Sequence, residues 1–217
     1  MRTHFCFHGI GTCAVEREPG EARYWMAEEL FLRVLDQVHG RPDVELSFDD
    51  GNKTDVEIAL HALRERGLQA TFFPLVGRLD DPTSLDPSDL RELRDNGMQI
   101  GSHGWRHVPW RKLPDAEARR EFVDARLALE EASGVVITAA ACPLGRYDRR
   151  SLQRLKRAGY RVVYTSDRFP ARSSSWLQAR YSVTGADTME SLSRILTGRP
   201  GLEDARNLLA STVKRMR

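Results

Sequence analysis

The chain has 217 residues, 41% hydrophobic and 29% charged, enough for one domain with a substantial core and few for two. Its formal net charge of +2 is too small to point to nucleic acid as a partner. Three cysteines, Cys6, Cys13 and Cys142, show no CxxC spacing, which argues against a thiolate zinc site or a disulfide framework and fits a reducing compartment.

The elements are expected as follows. Phe5 to His8 alternates as a strand and stops at Gly9. Apolar residues at helical spacing from Glu21 to Val38, among them Trp25, Met26, Leu30 and Leu35, predict one helix. Val44 to Phe48 is a strand ending in Asp49-Asp50-Gly51, followed by a helix from about Asp55 to Arg66 that Gly67 closes. Ala70 to Val76 is an apolar strand, Pro87 to Asn96 a helix, and Met98 to Ile100 a short strand. A long helix runs from Asp115 to Ser133, then a strand from Val135 to Ala141, a helix from Arg149 to Ala158 and a strand from Tyr160 to Thr165. Ala179 to Val183 is the last strand, and helical patterns at Thr188 to Leu196 and Leu202 to Met216 finish the chain.

This alternation predicts an α/β fold with a parallel sheet. About seven strands would close into a small relative of the (β/α)₈ barrel; an open doubly wound sheet is the alternative that periodicity leaves open. No repeat or long linker interrupts the chain, so residues 1–217 are read as a single domain. No stretch approaches the roughly 20 apolar residues of a membrane span, and the N-terminus reads as a strand rather than a signal peptide. The expected location is therefore the cytoplasm. Oligomeric state is not readable.

The polar residues that carry chemistry fall at predicted strand ends. Asp49 and Asp50 are adjacent carboxylates at the end of a buried strand, costly unless metal or hydrogen bonds compensate them; a capped turn is the plainer reading of an isolated Asp-Asp-Gly. His103 and His107 lie four apart and share a face if the segment turns helically. With Asp50 they make a two-histidine, one-carboxylate set with positions left for water and substrate. Cys142-Pro143-Leu144-Gly145 forms a rigid loop after another strand, with backbone N–H groups placed to stabilise an oxyanion; Cys142 itself reads as a packed thiol. His8 and Asp167 follow the first and sixth strands. Convergence at C-terminal strand ends is where barrels of parallel strands keep their catalytic groups.

On these residues the chain resembles the polysaccharide deacetylases of carbohydrate esterase family 4. The family's T-F-D-D-G stands here as Ser47-Phe48-Asp49-Asp50-Gly51, and its H-[ST]-x-x-H as His103 to His107. The resemblance implies a deformed (β/α)₇ barrel and a hydrolase that removes acetyl groups from N-acetylated sugars. It implies Asp49 as general base, with Asp50, His103 and His107 holding a divalent metal, zinc by preference. Three departures stand out. Gly104 replaces Ser or Thr, the third-motif arginine is missing before Cys142-Pro143, and no histidine follows His107. A subgroup with circularly permuted motifs, the poly-N-acetylglucosamine deacetylases, takes its acid histidine from an N-terminal strand, and Phe7-His8-Gly9 resembles that strand. By this resemblance His8 would be the acid and Asp167 its orienting carboxylate, Pro143, Leu144 and Gly145 would line the oxyanion and substrate side, and Arg180 would orient Asp49. The expected partner is a carbohydrate, without nucleic acid or membrane span. The alternatives are a same-fold hydrolase of a non-sugar amide or imide, and a catalytically silent carbohydrate-binding protein.

Overall fold

Strand and helix alternate along the chain, and every pairing between the strands is parallel. The computed structural model describes residues 1–198 and 201–216. The strands are β1 (Thr3–Phe7), β2 (Val44–Asp50), β3 (Ala70–Pro74), β4 (Gln99–Ile100), β5 (Ala139–Ala141), β6 (Val162–Thr165), β7 (Leu177–Ala179) and β8 (Tyr181–Ser182). The helices are α1 (Glu28–Val38), α2 (His61–Glu65), α3 (Pro87–Asp95), α4 (Asp115–Arg119), α5 (Ala125–Ser133), α6 (Arg149–Arg157), α7 (Met189–Thr197) and α8 (Leu202–Met216). Wider π-helical turns, Asp55–Leu60 and Arg120–Asp124, lead into α2 and α5.

Two sheets, β4-β3-β2-β1-β8 and β5-β6-β7, join into a ring at two seams. At one, the Ser102 N–H donates to the Ala139 carbonyl and the Ala141 N–H donates to the Ser102 carbonyl, both at 2.9 Å. At the other, a single extended segment serves both sheets: Leu177–Ala179 pairs with β6, and Tyr181–Ser182 pairs with β1. The expected last strand is thus two short strands that change partner at Arg180. Counted as one, they make the seventh stave of a deformed barrel.

The strands sort their side chains by alternation. Phe5, Phe7, Phe48 and Phe72 enter the main core with Phe31, Val34 and Leu35 of α1. Phe48 stacks on Phe72 with centroids 4.7 Å apart, and Phe7 meets Phe31 and Phe48 at 5.3 Å. Each such buried ring stabilises the fold by about 1.5–3 kcal/mol and pins the strand register. The alternate residues point into the ring, where Phe73, Ala139 and Ala141 form a second, small cluster against Val162 and Tyr164. Ser47 and Asp49 lie on this inner side, where the Arg180 guanidinium meets both.

One predicted helix divides. The span from Glu21 becomes a 3₁₀ turn, Glu21–Tyr24, then extended chain, and α1 starts only at Glu28. The reason is competition from β1: the Met26 N–H donates to the Gly9 carbonyl and the Gly11 N–H donates to the Met26 carbonyl. Trp25 and Met26 therefore belong to a strand-like segment, although their spacing is helical. Within the fold this holds residues 11–25 as a long loop over the C-terminal end of the barrel.

Candidate active site

A cavity of about 370 Å³ opens at the C-terminal strand ends, lined among others by His8, Asp49, Asp50, His103, His107 and Leu144. Adjacent strand residues should point to opposite faces, yet both aspartates reach it. The cause is local backbone: Asp50 adopts a left-handed conformation, φ 75°, and Gly51 follows with φ 67°. A non-glycine residue in that region is uncommon and costs free energy, so the strand end is bent to turn the second carboxylate inward. A Cβ on Gly51 would lie 2.9 Å from Pro74 Cβ, which closes that position to other residues. His103 and His107 do not lie on a helix. The segment is an irregular turn around Gly104, φ 91°, and it brings the imidazole centroids to 5.3 Å.

His103 Nδ1 is 2.9 Å from the Ala141 carbonyl and His107 Nδ1 is 2.6 Å from a Glu18 carboxylate oxygen. These partners only accept, so each Nδ1 carries a proton, and in the neutral ring each Nε2 then turns its lone pair inward. Both Nε2 atoms face Asp50 Oδ1, at 3.5 and 3.7 Å. That oxygen is buried and has no hydrogen-bond partner among the described residues. With both rings neutral, three acceptors converge here, an arrangement that a cation at the centre would satisfy. The donor set, two imidazoles and one carboxylate, fits a divalent metal. Burial lowers the His103 pKa to about 4 against the pull of Asp49 and Asp50, which keeps the ring in its ligand form. Asp50 is held below its ordinary value: burial opposes its charge, but His107, His8 and His103 outweigh it.

Beside this set lies Asp49. Burial disfavours its charge, yet Arg180, His103 and His8 hold it well below the usual carboxylate range. The contact with Arg180 is a two-pronged ion pair, Nη1 to Oδ1 at 2.7 Å and Nη2 to Oδ2 at 2.6 Å, and Arg180 is fully buried. His8 sits across the cavity against Tyr24, ring centroids 4.7 Å apart. Burial lowers its pKa, with Asp50 and Asp49 acting in the other direction. Its Nδ1 is buried without a partner among the described residues.

Asp167 does not pair with His8. Its carboxylate accepts from the Tyr147 hydroxyl at 2.6 Å, from Thr165 Oγ1 at 2.9 Å and from Lys214 Nζ at 2.5 Å. Coming just after β6, it serves to tie α8 to the barrel. Of Pro143, Leu144 and Gly145, only Leu144 lines the cavity. Proline has no N–H, and the Gly145 amide donates to the Cys142 carbonyl, so neither is free for an oxyanion. Leu144 is left-handed, φ 56°, and 49% exposed. Cys142 is buried, and burial pushes its thiol up. None of Trp105, Trp110 and Trp176 lines the cavity.

Two carboxylates escaped sequence reasoning. Glu18, in the loop after β1, braces His107 and pairs with Arg78 at 2.5 Å. Glu121, buried at the start of α5's leading turn, accepts from the Trp105 N–H at 2.8 Å and the Arg106 N–H at 3.2 Å. A Cβ on residue 104 would meet Glu121 Oε2 at 2.3 Å, so Gly104 makes room for the carboxylate that fixes the turn. No spacing signals either residue, since their partners lie 89 and 16 positions away.

The family model described as Polysaccharide deacetylase matches residues 36–163, more than half of the chain. The Bacillus subtilis protein YxkH, named as a polysaccharide deacetylase of that kind, is 24% identical over 140 residues, 64% of this chain and 50% of that protein. A chitin deacetylase from Pestalotiopsis sp. is 31% identical over 121 residues, 54% of this chain and 39% of that protein. The chain therefore spans half or less of these two relatives' lengths. Among solved structures, the Streptococcus pyogenes deacetylase PplD in complex with acetate superposes with a TM-score of 0.76 at 19% identity, covering 89% of this chain and 97% of that one; at that identity the likeness speaks for the fold. The motif residues, the barrel and the matched family model agree: the chain belongs to the polysaccharide deacetylase family.

Proposed function

We propose that residues 1–217 form one catalytic domain that hydrolyses the acetamide of an N-acetylated sugar, in an oligosaccharide, a polysaccharide or a glycan precursor. The observation that carries this reading is the convergence of Asp50 Oδ1 and the two histidine Nε2 atoms beside a separately buried Asp49 held by Arg180. Asp50, His103 and His107 would hold a divalent metal, zinc by the donor set. When bound, such an ion supplies Lewis-acid polarisation and lowers the pKa of water.

The chain's own groups do the rest. Asp49, kept charged by Arg180, accepts a proton from the attacking water as its oxygen bonds to the acetamide carbonyl carbon. Leu144 is the one residue of its loop that lines the cavity, and its N–H would be the loop amide available to the developing oxyanion. His8 delivers a proton to the nitrogen as the carbon–nitrogen bond breaks, and acetate and the free amino sugar leave. The acid would then come from the residue just past β1, as the resemblance to the subgroup with permuted motifs implies. Asp167 has no part in orienting it.

Elemental analysis of protein purified without added metal or chelator tests the reading, together with acetate release from N-acetylglucosamine oligomers and from a cyclic imide. Wild type should carry about one zinc-like ion per chain and Asp50→Ala should carry none. Asp49→Asn and His8→Ala should keep the ion and lose most turnover. Metal retained with no hydrolysis of any acetylated glycan would overturn the proposal in favour of a binding protein, and turnover of the imide alone would favour the non-sugar hydrolase.

A further inference from the structure

Helix α8 is docked the wrong way round for a globular protein. Its polar side faces the barrel. Asp204 accepts from the Tyr181 hydroxyl at 2.7 Å, Asn207 Nδ2 donates to the Arg168 carbonyl at 3.0 Å, and Ser211 Oγ meets the Tyr147 hydroxyl at 3.0 Å. Lys214 Nζ donates to Asp167 and to the Gly145 carbonyl. Its apolar residues point to solvent: Leu202 is 93% exposed, Leu209 69%, Val213 41% and Met216 67%. Positions 202, 209, 213 and 216 fall on one stripe at 3.6 residues per turn, with the exposed Arg206 at its edge. Leu208, 47% exposed, widens the stripe toward a neighbouring groove.

That groove has a volume of about 700 Å³, and Leu208 and Arg215 of α8 form one side of it. Arg149, Lys156, Arg172 and Trp176 are among the residues that line the rest, and none of its lining residues is acidic. None of the four cations forms an ion pair with a carboxylate of the described residues. An apolar stripe that ordinary folding would bury therefore runs beside a concentration of unneutralised positive charge.

We propose that this face docks on the surface of an anionic phospholipid bilayer, α8 lying in the interfacial plane with its stripe among the acyl chains and the groove cations against the headgroups. The charge decides the occupant. A second copy meeting this face across a twofold axis would set cation against cation, whereas an anionic lipid surface neutralises them and accepts the stripe. The proposal does not depend on the reaction. It carries a consequence for it, because the polar side of α8 grips Gly145, Asp167 and Arg168, next to the cavity wall.

The test is flotation of the full chain with vesicles of phosphatidylcholine alone or mixed with phosphatidylglycerol. Binding is expected only to the mixed vesicles and should weaken as salt is raised. Leu209→Glu with Val213→Glu should lower it by about tenfold or more, and Arg149→Gln with Arg172→Gln by about fivefold per charge removed. Single Leu209→Asn, at an exposed position, serves if the double variant folds poorly, and circular dichroism checks each fold. Equal or absent binding to both vesicle types overturns the proposal. So does a dimer by light scattering that Leu209→Glu dissociates, which would assign the stripe to self-association.

Discussion

Arg180 and Asp49 show how much one pair can decide. Both are buried, and the guanidinium engages both carboxylate oxygens. Removing one partner of such a pair leaves an unpaired charge in low dielectric, at about 3–5 kcal/mol. Arg180→Leu should therefore lower the urea midpoint substantially and raise the Asp49 pKa, while metal content stays at the wild-type level. A midpoint unchanged within error would mean that the pair contributes nothing net. Glu18 acts one step removed, through the Nδ1–H of His107. Partners of this kind fix the ligand's tautomer and raise its basicity, and losing one typically weakens metal binding by about 10–100-fold. Glu18→Gln should show that loss in competition with a chelator; the same affinity in wild type and variant would reduce Glu18 to a partner of Arg78.

At the level of elements, the turn that leads into α2 carries an unusual feature. Asp55 is fully buried, and neither carboxyl oxygen has a hydrogen-bond partner among the described residues. Burial, reinforced by the charge of Asp50, raises its pKa well above 3.8. The folded state then binds a proton that the unfolded state has released, so stability is full below about pH 4 and falls as pH rises toward the folded-state pKa. Asp55→Asn removes that penalty. Melting temperature should rise in the variant, more at pH 8 than at pH 5; a gain independent of pH would show that the carboxyl is already ionised in the fold. The long loop after β1 makes the complementary point. Its Glu18 and Tyr24 furnish a wall of the cavity, while Met26 anchors its far end to Gly9.

Across the whole molecule, the parts written in local spacing were legible in advance. Parallel strands, intervening helices, the Asp-Asp-Gly strand end and the paired histidines all follow from neighbours a few residues apart. What failed was long-range. The helix expected from Glu21 broke because Gly9, distant in sequence, offered Met26 a better partner. The resemblance to the permuted subgroup implies Asp167 as the partner of His8, but no local spacing specifies which neighbour a carboxylate meets, and Lys214 reaches it from the last helix. The expected contact of Arg180 with Asp49 does form, between positions 131 apart, but the change of sheet at the seam that carries it is written in no periodicity. The same seam orders events in time. Asp50, His103 and His107 come from the first half of the chain, on or just after β2 and β4, whereas Arg180 arrives with the segment that pairs β1 to β8, residues about 176 positions apart. Closing that span, the longest-range pairing of the sheet, should be the slowest step. During refolding, a metal indicator should therefore register uptake before Asp49 gains the Arg180 guanidinium and turnover returns. Simultaneous recovery of both signals would show instead that the ring closes as a single event.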